Sequence, residues 1–189
     1  MKKSIITILL ISIGFMSCKN SEGKIDKLEI AKRYYHILNN SNHYGLSPLI
    51  ADSIVTIESD YNYKQTFSKN EYIEWQKWDA VFEPTYEILQ IEQHDQIIKA
   101  KILKMDKRIF FLQEEPFITN QTIRFRNNKI SAVETNYVNF KEKIWGKNKN
   151  ELVGWIDKNH PELNGFIYDQ TEKGALRYLK AIELYKHRK

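Results

Sequence analysis

Residues 31–60 read AKRYYHILNNSNHYGLSPLIADSIVTIESD, and the changes of rhythm inside this stretch decide the fold. Leu28, Ala31, Tyr35 and Leu38 recur at steps of three and four, and Ile30, Tyr34 and Ile37 widen the apolar stripe. That spacing predicts a helix buried along one broad side. The polar cluster Asn39-Asn40-Ser41-Asn42 ends it. A second short helical segment is predicted around Pro48, carrying Leu46, Leu49 and Ile50, because a proline near a helix start gives up an amide hydrogen that has no partner there. The β-branched run Ile54-Val55-Thr56-Ile57 then favours a strand.

Downstream, Tyr61-Asn62-Tyr63 predicts a turn and residues 64–67 a short second strand. Ser68-Lys69-Asn70-Glu71 has the form of a capping box, so a helix starts there. It runs through Tyr72, Ile73, Trp75, Trp78, Val81 and Phe82 and ends before Pro84. From Thr85 the period changes to two, with Tyr86, Ile88 and Gln90 expected on one face and Glu87, Leu89, Ile91 and Gln93 on the other. His94-Asp95-Gln96 breaks this strand, residues 97–105 form the next, and residues 106–116 read as less regular. Phe117 to Phe125 and Ile130 to Phe140 form a long hairpin about the turn Arg126-Asn127-Asn128-Lys129, since Asn tolerates the positive φ that tight turns need. Beyond it, residues 151–158 predict a short helix stopped at His160-Pro161. A last helix, capped by Asp169 and Glu172, has Ala175, Tyr178, Leu179, Ile182 and Tyr185 on one side.

The helix with paired aromatics, the polar loop, Leu46-x-x-Leu49-x-Ala51-Asp52 and the following strand resemble the opening of the nuclear transport factor 2-like superfamily, which includes SnoaL-like and ketosteroid-isomerase-like proteins. The order of elements follows that superfamily over residues 25–140, and Lys129-Ile130 resembles the start of its final strand. The resemblance implies an α+β fold in which a curved antiparallel sheet wraps the N-terminal helices into a cone with a pocket at its open end. Residues 141–189 would be a C-terminal helical extension. Homodimers are common among such proteins, so the resemblance makes a homodimer one candidate assembly without fixing the oligomeric state.

The N-terminus does not belong to that core. Lys2 and Lys3 precede an apolar stretch from Ile5 to Phe15, too short for a permanent membrane span. Phe15-Met16-Ser17-Cys18 resembles the lipobox of bacterial lipoproteins, with Phe15 where leucine is usual. Residues 1–17 are accordingly expected to be a signal peptide and Cys18 a site carrying palmitate-type acyl chains. Residues 18–24 would then be a tether holding the domain at a membrane of the cell envelope. Lys19 and Asn20 differ from the aspartate that retains some lipoproteins at the inner membrane, which favours the outer one. Cys18 is the only cysteine, so once it is acylated no thiol remains for disulfides, thiolate catalysis or cysteine-bound zinc. Losing Lys2 and Lys3 lowers the formal charge from +5 to +3. With the remainder concentrated in residues 186–189 and no basic stripe interleaved with aromatics, nucleic acid is not an expected partner.

No glycine-rich phosphate loop, His-Glu-x-x-His pair or nucleophile elbow is present, and neither a cofactor nor a metal is expected. The leading expectation is a lipid-anchored envelope protein that binds a small, partly apolar ligand without catalysis. Tyr35, Trp75, Trp78 and Tyr137 are the candidate pocket residues. The second is an isomerase, dehydratase or cyclase-like enzyme in which a desolvated carboxylate or a histidine acts as base, with Asp79, Asp60 or His36 as candidates and Glu58 beside them at the strand end. The third is an interaction module of an envelope complex that docks through the C-terminal helices.

Overall fold

A computed structural model describes residues 26–188, so the expectations for residues 1–17, for Cys18 and for the 18–24 tether lie outside the described residues. Helix α1 (Lys27–Asn39) starts at Asp26, whose carboxylate accepts from the amides of Leu28 and Glu29 at 2.9 and 3.2 Å, and it buries Ala31, Tyr34, Tyr35, Ile37 and Leu38. A 3-10 turn (His43–Leu46) leads to β1 (Ile50–Glu58). The helical turn precedes Pro48 instead of starting at it, because Ile50 already pairs with Ile130 and draws that residue into the sheet. A second 3-10 turn (Ser59–Tyr61) and Asn62, at φ 50°, reverse the chain into β2 (Tyr63–Ser68).

Helix α2 (Lys69–Ala80) opens with the expected reciprocal capping box. Ser68 N–H donates to Glu71 at 2.7 Å, and the Glu71 amide donates to Ser68 Oγ at 3.3 Å. Strands β3 (Thr85–His94) and β4 (Ile97–Met105) form a hairpin. A register shift between Ile88 and Gln90 places Tyr86, Ile88 and Ile91 against the core, so Gln90 does not share their face. Residues 106–116 are more regular than the sequence suggests: Asp106 accepts the Ile109 amide at 2.6 Å and starts α3 (Lys107–Gln113), which Glu114 ends at φ 67°.

Strands β5 (Phe117–Arg126) and β6 (Lys129–Tyr137) meet through Asn127 and Asn128, both at positive φ. Strand β6 stops at Tyr137, short of Phe140. There the Asn139 side chain turns back, accepting from the Ile118 amide at 2.7 Å and donating to the Pro116 carbonyl at 2.8 Å. The six strands lie in the order β2-β1-β6-β5-β4-β3. The sheet is curved and mixed, since β1 and β6 run parallel while the other neighbours are antiparallel. Register shifts in β1, β3 and β5 supply local bends.

The first apolar core lies between α1, α2 and one face of the sheet, where Ile54, Ile98, Ile102, Ile123 and Ile130 are fully buried. A second core joins Trp78, Phe82 and Leu112 to the C-terminal helices α4 (Glu142–Asn159) and α5 (Glu172–Lys186). Helix α4 is longer than residues 151–158 because it continues from Glu142 through Gly146 and Gly154, two poor helix formers, and it has no side-chain cap to announce its start. Thr171, not Asp169, caps α5, accepting from the Gly174 amide at 3.1 Å. Asp169 acts one step back, accepting the Thr171 amide at 3.0 Å and its hydroxyl at 2.6 Å. The apolar side of α5 is used internally: Ala175, Tyr178, Ala181, Ile182 and Tyr185 are all buried. No helix among the described residues is long and apolar enough to cross a membrane.

Candidate functional site

The curvature of the sheet and the tilt of the helices leave a cavity of about 380 Å³ between α1, α2 and the ends of β1, β4, β5 and β6. Tyr61 and Tyr63, 47% and 49% exposed, and the exposed Gln170 are wall residues that reach solvent. Helix α3 contributes Arg108, and the C-terminal extension contributes Trp145 and Gln170.

The aromatic wall is continuous. Phe67 stacks on Trp75 at 5.5 Å, Trp75 is nearly parallel to Trp78 at 6.5 Å, and Phe82 meets Trp78 edge-on at 5.2 Å and Tyr178 at 5.6 Å. This column runs from the cavity into the second core. Tyr34 and Tyr72 share a hydrogen bond at 2.5 Å, and burial pushes the Tyr34 phenol up to about 12. Tyr35 donates to Gln121 at 2.7 Å. Burial also raises Tyr137, with a further push from Glu58. These phenols stay protonated at neutral pH and can donate hydrogen bonds or line apolar surface.

Charge enters the cavity at three points. Asp79, only 4% exposed, receives Lys104 Nζ at 2.6 and 2.8 Å on its two oxygens and the Tyr86 hydroxyl at 2.8 Å. Burial opposes its ionisation, but Lys104 and Arg108 together with these hydrogen bonds outweigh it and hold the carboxyl below the usual aspartate range. Arg108, its side chain 16% exposed, lies over Trp78 at 4.8 Å, Phe82 at 5.3 Å and Trp145 at 6.0 Å, with Asp106 as a distant partner at 3.4 Å. Glu58 is the contrast: burial raises its carboxyl, Asp60 adds to this, and the pull of Arg108 does not cancel it. A desolvated carboxyl with a raised proton affinity is a stronger base than the paired Asp79.

Of the residues singled out in the sequence, Tyr35, Trp75, Trp78, Tyr137 and Asp79 all line the cavity. Asp79 is bound in an ion pair, however, and is not the free base the enzyme reading requires. The other two candidate bases do not reach the cavity. Asp60 is exposed and accepts the Tyr137 amide at 2.6 Å, fastening the turn after β1 to β6. His36 is exposed on the outer side of α1, beside Asn40 at 3.0 Å. Lys104 and Arg108 escaped sequence reading. Lys104 had a usable signal, because it continues the buried alternation Ile98, Ala100, Ile102 and so had to point inward and find a counter-charge. Among the described residues no group of three or more His, Cys, Asp or Glu side chains could hold a metal ion.

No family model and no curated protein matches the sequence. Solved structures do match. A Kribbella flavida protein assigned as a ketosteroid isomerase is 10% identical with a TM-score of 0.52, covering 61% of this chain and 80% of its own. A nuclear transport factor 2-like protein of unknown function from Cytophaga hutchinsonii is 7% identical with a TM-score of 0.50, covering 62% and 94%. IdmH from Streptomyces antibioticus, assigned as a polyketide cyclase, is 11% identical with a TM-score of 0.51, covering 66% and 99%. These neighbours are covered nearly whole while a third or more of this chain lies outside each match. What this chain shares with them is the nuclear transport factor 2-like, SnoaL-like fold.

Proposed function

We propose that this chain is a lipid-anchored cell-envelope protein whose cavity holds a small, partly apolar ligand. The cavity itself carries the ligand-binding part: its volume is that of a small-molecule site, and its wall sets aromatic side chains beside polar and charged ones. The anchoring part rests on the sequence ending in Cys18. Native mass spectrometry of protein isolated from its own envelope tests the first part, with a bound small molecule expected. Recovery of bare polypeptide at every gentle ionisation setting would remove its basis. Incorporation of an alkyne-labelled palmitate, abolished by Cys18→Ala, tests the second, and equal labelling of the variant would defeat it.

A second reading is favoured by Glu58. A partly buried carboxyl with raised proton affinity on the cavity wall, facing cationic Arg108, suits proton transfer next to a carbonyl, with the guanidinium stabilising the developing negative charge. The isomerase and cyclase assignments of two similar structures are in keeping with that class of reaction. Deuterium exchange into the C–H next to a bound ketone, lost in Glu58→Gln with ketone binding intact, is the expected signature. Exchange that survives the substitution eliminates Glu58 as the base.

A further inference from the structure

The fully buried polar atoms left without a partner in the cavity wall are all donors. Among the described residues four buried side-chain polar atoms lack a partner, and three of them are N–H groups on residues that line the cavity: Trp75 Nε1, Trp78 Nε1 and Arg108 Nε. Indole and guanidinium nitrogens of this kind only donate. Two of the wall's acceptors are engaged, Asp79 by Lys104 and Tyr86 and the Gln121 carbonyl oxygen by Tyr35, while Glu58 stands apart on the β1 side of the wall. The two cations also differ. Lys104 is matched by both oxygens of Asp79. Arg108 has Asp106 at 3.4 Å on one terminal nitrogen, and Asp106 spends its other oxygen on the Ile109 amide. Three aromatic rings hold the guanidinium in place without supplying an acceptor in its plane.

We infer that the ligand presents an oxygen acceptor, a carboxylate or a carbonyl, to Arg108, with the indole N–H groups of Trp75 and Trp78 as further donors. This rests on the cavity being a ligand site and deepens that reading. A planar guanidinium clamped between aromatic faces is pre-organised for such an oxygen, so little freedom is lost when the contact forms. An amine brought to Arg108 and the two indoles would meet donors with donors.

Four probes that share one apolar body make the test: 4-phenylbutyrate, 5-phenylpentan-2-one, 4-phenylbutylamine and butylbenzene. Each is titrated into the described domain with its C-terminal extension and followed by calorimetry and tryptophan fluorescence. At least one oxygen-bearing probe is expected to bind about tenfold or more tightly than the amine and the hydrocarbon, the size of one charge-assisted hydrogen bond. Preference for the butyrate identifies a carboxylate, and preference for the ketone a carbonyl. Arg108→Met should remove the advantage of the oxygen-bearing probes over butylbenzene. Amine or hydrocarbon binding equal to that of the oxygen-bearing probes, or an advantage retained in Arg108→Met, overturns the inference while the cavity remains a binding site. Failure of all four to bind defeats the ligand-binding reading as well. The comparison in the unmodified protein decides the matter even if Arg108→Met does not fold.

Discussion

Lys104 Nζ closes on both carboxylate oxygens of Asp79, at 2.6 and 2.8 Å, in the wall of the cavity. Removing one partner strands the other charge in the interior. Asp79→Asn and Lys104→Met should each cost about 3–5 kcal/mol in urea denaturation. The double variant Asp79→Leu/Lys104→Met should cost much less than the sum. Because the folded-state carboxyl of Asp79 is held below its usual value, its contribution is complete above about pH 4 and is lost as pH falls through that folded value. Asp79→Asn should therefore flatten the acid limb of the stability curve.

Glu58 carries the opposite sign. Its folded-state proton affinity is raised, so the stability associated with its protonation is present in acid and is lost as pH rises through the folded value. Glu58→Gln should raise the melting temperature at pH 7 relative to the unmodified chain, with the two curves converging towards pH 3. A variant less stable at pH 7 would show that Glu58 is held by an interaction stronger than its burial penalty.

Gly174 is where α5 leaves its cap. A Cβ there would stand 2.0 Å from the Asp169 carbonyl oxygen, a backbone atom that cannot swing aside. Gly174→Ala should destabilise by about 2–3 kcal/mol despite the better helix propensity of alanine. Gly154→Ala, which meets nothing within 4 Å, should be neutral or slightly stabilising and serves as the control. Thermal melts of the two variants give the comparison directly.

Asn39 protects the outer edge of β3, donating to the Tyr86 carbonyl at 2.7 Å and accepting the Tyr86 amide at 2.6 Å. Asn39→Ala should cost about 1–2 kcal/mol and speed concentration-dependent aggregation, since an unpaired strand edge invites another chain. Light scattering at fixed temperature measures the second effect.

The fold was legible wherever a local signal coincided with a tertiary one. The capping box at Ser68 and Glu71 announces α2, and Asn127-Asn128 announces the last hairpin. Elements without such agreement were missed or misdrawn. Helix α3 is seven residues long, too short to show a period, and α4 starts without a cap. The bulge that turns Ile91 inward is invisible to strict alternation. The aromatic half of the candidate site was readable because large apolar side chains at helical spacing must be buried somewhere. Its charged half was legible only as separate residues, because the meeting of Asp79 with Lys104, or of Arg108 with three rings, depends on strands and helices distant in sequence.

The parallel pairing of β1 with β6, which sets Val55 beside Ala132, has a consequence for biogenesis. Neither wall of the cavity can close while the last strand is still being made, and pairings this far apart along the chain form slowly. The emerging polypeptide therefore spends its synthesis without a finished sheet.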